Sequence, residues 1–334
     1  MTGSINLPEG LDIAVHRVTI EAVDAMDLSG WTGNALRGGF GAAFKATACL
    51  TGDRARCAAR CAHGNQCPYG YIFETRLPAD APVLRNLDEI PRPFVLEPPS
   101  GERTRYAPGE ALSFGLTLFG RAVDFLTYFL VAFQKLGAMG LGRNRARFTL
   151  ARVDGVHPWT GAEVLLYEGG RQYDAELRLR ASDLLRRADA LPVDRLTVHY
   201  LTPARLRHEG KFMRRDVPFH VLVRALLRRV SSLAAFHGAG VWETDYRGWA
   251  ERARDVATAA ADLRWDKRER YSRRQARRME LGGVVGTVVY SGDLAPYRPL
   301  LALGELTHVG KAVVFGNGQI RVEAVGATGG AHGP

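Results

Sequence analysis

The strongest constraint on this 334-residue chain is that one order of elements occurs in it twice. In residues 11–23 the apolar Ile13, Val15, Val18 and Ile20 fall at near-alternate positions, the period of a strand with one slip in register. Thr32 to Ala48 then sets Leu36, Phe40, Ala43, Phe44 and Ala48 on one helical face and turns Arg37 and Lys45 elsewhere. Two further strands follow at Pro91 to Pro99 and Leu112 to Phe119, a helix at Arg121 to Leu136, a glycine-rich turn at Gly137 to Arg147, and a strand at Phe148 to Val153. After a connecting stretch near 155–193 the order returns by its parts. Leu196 to Leu201 read as a strand, Phe219 to Phe236 as a long amphipathic helix and Gly283 to Tyr290 as a central strand. A short helix at Tyr297 to Thr307, the glycine-rich turn Gly310 to Gly318 and a closing strand at Gln319 to Val325 complete it. Strand, helix, strand, strand, helix, strand is the order of a ferredoxin-like unit, and chance periodicity does not repeat a whole element order. The expected fold class is therefore α+β, with two tandem ferredoxin-like (RRM-like) βαββαβ domains and a C-terminal glycine-rich loop. The expected boundaries are 1–190, carrying a cysteine-rich insertion at 49–70, then 191–326, then a disordered tail at 327–334.

Composition matters for what such a chain binds. Forty-five basic residues against 35 acidic leave a net charge of +10, which favours a polyanionic partner. Lysine occurs only at 45, 135, 211, 267 and 311, so the cations are overwhelmingly arginine. GC-rich codons account for part of that bias. Arginine is also the better phosphate ligand, because its planar fork donates two hydrogen bonds at once and its face stacks on a base. The charge is clustered: Arg264-Trp-Asp-Lys267-Arg268-Glu-Arg270-Tyr271-Ser-Arg273-Arg274-Gln-Ala-Arg277-Arg278 holds eight cations against two anions, with Trp265 and Tyr271 interleaved. That mixture suits phosphate neutralisation and base stacking, and the alternative is a solvated helix face. Arg224, Arg228 and Arg229, and Arg143, Arg145 and Arg147, extend the basic surface.

Cys49, Cys57, Cys61 and Cys67 lie within nineteen residues, in a loop too poor in apolar side chains to hold its own shape. A structural zinc clamp, with His63 as a substitute ligand, is one reading; a mobile insertion with free thiols is the other. The N-terminus lacks the basic and then apolar regions of a signal peptide, and Phe125 to Phe133, the longest apolar candidate, is about half of a bilayer span, so a soluble cytoplasmic protein with no membrane contact is expected.

Glycine between a helix and a strand accepts positive φ and lets backbone N–H groups converge on an anion. Gly310 to Gly318 has this form, and a mere tight turn is the alternative; it is neither a GxxxxGKS loop nor a GxGxxG that opens a helix. Metal-free RNA cleavage through the 2′-hydroxyl needs a base for that hydroxyl and an acid for the leaving oxygen. His308, at the mouth of this turn and three residues before Lys311, is the best-placed imidazole; its other reading is a helix-end histidine bonding a backbone carbonyl. His16, His199 and His220 read as structural or surface residues. The absence of GxSxG, HExxH and paired-carboxylate motifs argues against serine hydrolases, zincins and glycosidases.

Tyr271-Ser-Arg-Arg-Gln275 through Gly286, Tyr290-Ser-Gly292-Asp-Leu-Ala-Pro296 and Leu303-Gly-Glu305-Leu-Thr-His308-Val-Gly310-Lys311 through Gly318 occur in order. Together they resemble the C-terminal half of the CRISPR repeat-cleaving endoribonucleases of the RAMP superfamily. Leu36-Arg37-Gly38-Gly-Phe40-Gly41 and Cys67-Pro68-Tyr69 with Phe73-Glu74 are similar to the same family. The resemblance implies two ferredoxin-like domains and metal-independent cleavage of precursor CRISPR RNA within each repeat, leaving 5′-hydroxyl and 2′,3′-cyclic phosphate ends with no cofactor required. It implies RNA contact through Gly310, Lys311, Phe315, Gly316 and Gly318, and it places the product RNA with other CRISPR effector subunits; a homodimer is compatible with it. Arg143, Arg145, Arg147, Arg270, Tyr271, Arg273, Arg274, Arg277 and Arg278 are the further expected RNA contacts. In relatives that carry a histidine on the first helix, that residue would fall on Ala42 here. The expected catalytic set is therefore His308 with Lys45 and Arg37 as electrostatic stabilisers, and the other reading is a catalytically silent RNA-binding subunit.

Overall fold

The computed structural model describes residues 3–49, 61, 63–75, 90–99, 101, 103–272 and 277–326. Cys57, Arg273, Arg274 and the expected tail at 327–334 lie outside them. The chain divides into two compact units. Among the described residues one comprises 11–178 with 236–238, and the other comprises 3–10, 179–235 and 239–326. The division thus falls at Arg178/Leu179, ahead of the expected 190, and the first ten residues pack with the C-terminal unit.

The N-terminal unit is built from β1 (Ile13–Ala22), β2 (Met26–Asp27), α1 (Thr32–Ala48), α2 (Pro68–Phe73), β3 (Phe94–Glu97), β4 (Arg105–Tyr106) and β5 (Ala111–Phe119). A 3-10 turn leads into α3 (Leu126–Met139), followed by β6 (Phe148–Val156), β7 (Glu163–Glu168) and β8 (Arg171–Gln172). The sheet runs β3-β5-β1-β6-β7-β8 with antiparallel neighbours. Its first four strands stand in the ferredoxin-like order, and β7 and β8 extend the edge from the segment the sequence left as a connection. The slip expected between Val15 and Val18 is corrected: burial alternates without a break from Ala14 to Ala22, with His16 on the buried face, and the one register shift of this pair, at Thr19/Ile20, leaves the extra residue, Ala151, on β6. Phe40 and Phe44 on α1 pack against Phe129 and Phe133 on α3 and Phe94 on β3, with the Phe40 and Phe133 rings stacked at 4.6 Å. Aromatic rings of this size supply most of the apolar burial that seats the two helices on the sheet. Gly120–Met139 is long and apolar enough, by length and composition alone, to cross a membrane, more than the sequence reading allowed. In the fold it buries Phe129, Leu130, Ala132, Phe133 and Leu136 in this core.

The C-terminal unit contains α4 (Ala181–Asp189), β9 (Arg195–Ala204), the hairpin β10 (Arg207–His208) and β11 (Lys211–Phe212), α5 (Phe219–His237) and α6 (Tyr246–Arg252). It continues with β12 (Ala257–Asp266), the hairpin β13 (Glu269–Ser272) and β14 (Arg277–Glu280), β15 (Gly283–Ser291), α7 (Arg298–Thr307) and β16 (Ile320–Ala324). Its sheet order, β12-β15-β9-β16, is the same ferredoxin-like order with antiparallel neighbours. Tyr200 on β9 and Tyr290 on β15 are fully buried, and the Tyr290 hydroxyl donates to the Val217 carbonyl at 2.6 Å, so the polar tips carried into this core are hydrogen-bonded. The strand that carries the start of the basic run, β12, lies at the sheet edge and is exposed from Ala257 to Asp262. The helix-face alternative for that run is therefore corrected: its described backbone is strand.

Candidate nucleic-acid interface

The second glycine-rich turn leaves α7 through His308, whose φ is 57°. It then folds back on the end of β9. Val309 N–H donates to the Gly318 carbonyl at 2.8 Å, Gly318 N–H to Pro203 at 3.1 Å, and the Thr202 hydroxyl to the Gly316 carbonyl at 2.6 Å. Gly310, at φ 90°, stands so close that a Cβ would lie 2.8 Å from the Arg205 carbonyl oxygen, and one on Gly318, at φ 75°, would lie 1.9 Å from that of Val309. Both positions require glycine. The expected contacts at Phe315, Gly316 and Gly318 are corrected by this packing, because all three are buried and Gly316 and Gly318 spend backbone groups on β9 and on the loop itself. Gly310 and Lys311 remain at the surface.

His308 is fully buried and its Nδ1–H donates to the Asn317 carbonyl at 3.1 Å. An imidazole at that depth meets no solvent-borne phosphate, so the structure favours the alternative of a helix-end histidine bonding a backbone carbonyl over a proton donor or acceptor. Beside it Arg229, expected as surface charge, is buried and donates its Nε–H to the Thr307 carbonyl at 3.1 Å. Desolvation lowers its pKa to about 9. Both residues fasten the turn from inside.

On α1, Arg37 and Lys45 are eight residues apart and lie on the side that meets α2. The Arg37 guanidinium sits 4.7 Å from the centroid of Phe73, and the Lys45 ammonium 5.2 Å from that of Tyr69. Both are half-buried, and Ala42 between them is exposed. They form a cationic pair over an aromatic floor. Arg143, Arg145 and Arg147 are exposed after α3, but Arg147 is held in a two-pronged grip by Asp24 (Nε 2.9 Å, Nη2 3.0 Å). Those hydrogen bonds pull the Asp24 carboxyl down to about 2. Arg147 thus has a carboxylate partner already.

The described part of the basic run divides between the end of one strand and a hairpin. Arg264 and Trp265 end β12, Arg270 and Tyr271 belong to β13, and Arg277 and Arg278 to β14, with Tyr271 opposite Arg278 in register. Beside the end of β12 lies a cavity of about 560 Å³ lined by Arg214, Arg215, Leu263, Arg264 and Trp265. The Arg214 guanidinium lies 4.5 Å from the Trp265 ring and Phe212 6.2 Å from it, while Arg205 and Arg207 stand 4.3 and 5.3 Å from the Phe212 ring. Cations and rings alternate along this face. Among the described residues Arg214, Arg215 and Arg264 pair with no carboxylate, whereas Arg268 is held by Asp266 at 2.7 Å and Arg205 by Glu280 at 3.0 Å. Sequence reasoning passed over Phe212, Arg214 and Arg215, although Lys211-Phe-Met-Arg-Arg215 carries the same basic and aromatic mixture as the longer run.

The other histidines fit their expected structural roles. His16 is buried, His199 Nε2 lies 3.2 Å from the Glu323 carboxylate, and His220 meets His208 edge to face at 5.1 Å. Of the cysteines, Cys49 and Cys61 are half-buried, and Cys67 is buried with its Sγ–H donating to the Ala48 carbonyl at 3.5 Å. No three His, Cys, Asp or Glu side chains converge among the described residues.

The chain thus combines two ferredoxin-like units with a glycine-rich turn ahead of the last strand and an arginine–aromatic face. Residues 198–320 match the family model of the CRISPR-associated endoribonuclease Cas6, and residues 11–179 match a model described as an N-terminal domain. The C-terminal unit thus carries a segment similar to the Cas6 endoribonuclease family. No curated protein sequence matches it. Among solved structures it is similar to a partial Cas6-RT-Cas1–Cas2 complex, at 13% identity and TM-score 0.56 over 95% of this chain and 47% of that one. It is also similar to a Cas6 product complex (14%, TM-score 0.55, 93% and 100%) and to Thermus thermophilus Cas6 (14%, 0.51, 94% and 99%). At these identities the likeness is one of fold. The chain spans 47% and 29% of the two Cas6-RT-Cas1–Cas2 chains it matches.

Proposed function

We propose that this chain binds CRISPR repeat RNA on the basic face of its C-terminal unit and cuts precursor CRISPR RNA within the repeat, without a catalytic metal. The 2′-oxygen attacks the adjacent phosphorus as its proton is taken up. The 5′-oxygen leaves as it gains one, so the products end in 2′,3′-cyclic phosphate and 5′-hydroxyl. The observation that carries this reading is that the segment matched to the Cas6 endoribonuclease model, 198–320, contains both the glycine-rich turn and every residue lining the arginine–tryptophan cavity. Gly310 and Lys311 at the exposed end of the turn, and the hairpin that carries Arg270, Tyr271, Arg277 and Arg278, supply further backbone contacts in this reading. Lys45 and Arg37 supply charge for the phosphorane, since preorganised cations stabilise charge that develops in the transition state. The protein works in the cytoplasm, where the transcripts are, and hands its product to other CRISPR proteins. A structural zinc, if bound, would be held by Cys49, Cys57, Cys61 and Cys67, of which Cys57 lies outside the described residues.

Incubation with a labelled repeat RNA in EDTA, beside a copy carrying one 2′-deoxy nucleotide at the cut, tests the chemistry. Cleavage of the first alone is expected. Tight binding with cleavage of neither, across several repeats, would replace the enzyme by an RNA-holding subunit. That second reading is favoured by the lack of a histidine on α1 and by the burial of His308.

A further inference from the structure

We propose that the cavity at the end of β12 is a receptor for one unpaired nucleotide of the bound RNA, the base lying on the Trp265 indole and its flanking phosphates on Arg214, Arg215 and Arg264. This rests on the RNA-binding reading above and assigns it a place and a form of RNA. The hollow, about 560 Å³, is half open at the surface, so a nucleotide can enter it from solvent and keep its chain neighbours outside. The lining carries uncompensated charge: these three arginines have no carboxylate partner among the described residues, while the adjacent Arg268 and Arg205 do. Three unpaired guanidiniums around one hollow repel one another until an anion enters.

The indole decides between kinds of polyanion. A duplex or an acidic peptide would satisfy the arginines and leave the ring face unused, because paired bases hide their faces in the stack. An unpaired base has a free face, and base–aromatic stacking is the recurrent device of single-strand binding. Arg214 now covers the indole at 4.5 Å. It is an exposed side chain, and an exposed cation–π contact is worth less than a base–indole stack, so the base displaces the guanidinium and Arg214 turns to the phosphate. The site is assembled from two segments, 214–215 and 263–265, that the β10–β11 hairpin and the edge strand bring together. Leu263 gives the base an apolar wall.

The test uses the full chain, an unstructured single-stranded RNA, and a duplex of the same sequence, with affinities measured at one fixed salt concentration. Trp265→Ala is expected to weaken single-strand binding by between about 5- and 150-fold, the range for loss of one stacked base, and to change duplex binding by less than twofold. Trp265→Phe, which keeps a ring and the strand, is expected to recover most of the loss and so separates stacking from misfolding. An equal loss on both RNAs, or none on the single strand, overturns the receptor. If the wild-type chain binds RNA and the Trp265 variants bind the single strand as tightly, the cavity assignment fails alone; if the wild-type chain binds neither RNA, the RNA-binding reading falls with it.

Discussion

His308 is where the sequence and the fold pull furthest apart, and one substitution separates them. If the imidazole is a buried fastener, His308→Ala leaves the Asn317 carbonyl without its 3.1 Å donor inside the protein, a loss of about 1–3 kcal/mol. The missing ring adds a cavity in a fully buried site, worth another ~1–2 kcal/mol when the surroundings close on it only in part. Alanine keeps the strained φ of 57°, so that cost stays in the fold. The expected destabilisation is therefore about 2–5 kcal/mol. His308→Gly makes the same losses but relieves roughly 1 kcal/mol of left-handed strain, so it should be the milder change. Urea unfolding gives the total, and hydrogen exchange at the Val309 and Gly318 amides gives the local part, since these hold the turn to itself and to β9. Single-turnover cleavage is measured in parallel, under conditions where the variant is folded. Stability unchanged within about 0.5 kcal/mol, combined with a cleavage loss of a thousandfold or more, would refute the argument and return His308 to proton transfer.

Burial lowers the pKa of His16 to about 4, against a backbone hydrogen bond to Leu116 that opposes the shift. The unfolded chain takes up a proton near pH 6.5 and the folded chain resists until about pH 4, so stability should be full above pH 6.5, fall by about 3 kcal/mol between 6.5 and 4, and level off below. His16→Gln should flatten that segment of a melting-temperature profile, and an unchanged slope would remove His16 as its source. Glu305 accepts both Nη2 and Nε of Arg187, at 2.7 and 2.8 Å, and the Val322 N–H at 2.8 Å. Glu305→Ala is expected to cost about 2–4 kcal/mol in urea unfolding, less than a fully buried pair because Arg187 retains 20% exposure, and a cost under about 0.5 would show the pair idle. If the cysteines clamp zinc, protein purified without chelator should carry close to one zinc per chain, and less than about 0.2 would remove the clamp.

How much of this was legible beforehand depends on which residues face the core. The helix at Thr32–Ala48 was read to its ends because its apolar face repeats at three- and four-residue steps, whereas the slip read in β1 does not exist, because the polar His16 lies on the buried face where an apolar residue was looked for. The same reasoning gave no strand at Ala257–Asp266, where an edge strand exposed along most of its length carries no alternation to read. The candidate catalytic histidine and the charged run were visible as residues but not as positions. Whether His308 faces a groove or the core depends on how α7 meets the end of β9, and a three-residue spacing from Lys311 is the same in either case.

The sequence by itself determined the element order of the first ferredoxin-like unit, most of that of the second, the excess of arginine and the likeness to a known family, because periodicity and composition are local properties. Only the tertiary structure decided that the turn is held shut by His308, that Arg229 is inside, and that Arg214 and Arg215 meet Arg264 and Trp265 around one cavity about fifty residues along the chain. Burial and convergence are properties of packed sheets and helices, and no stretch of sequence carries them until distant stretches close on each other.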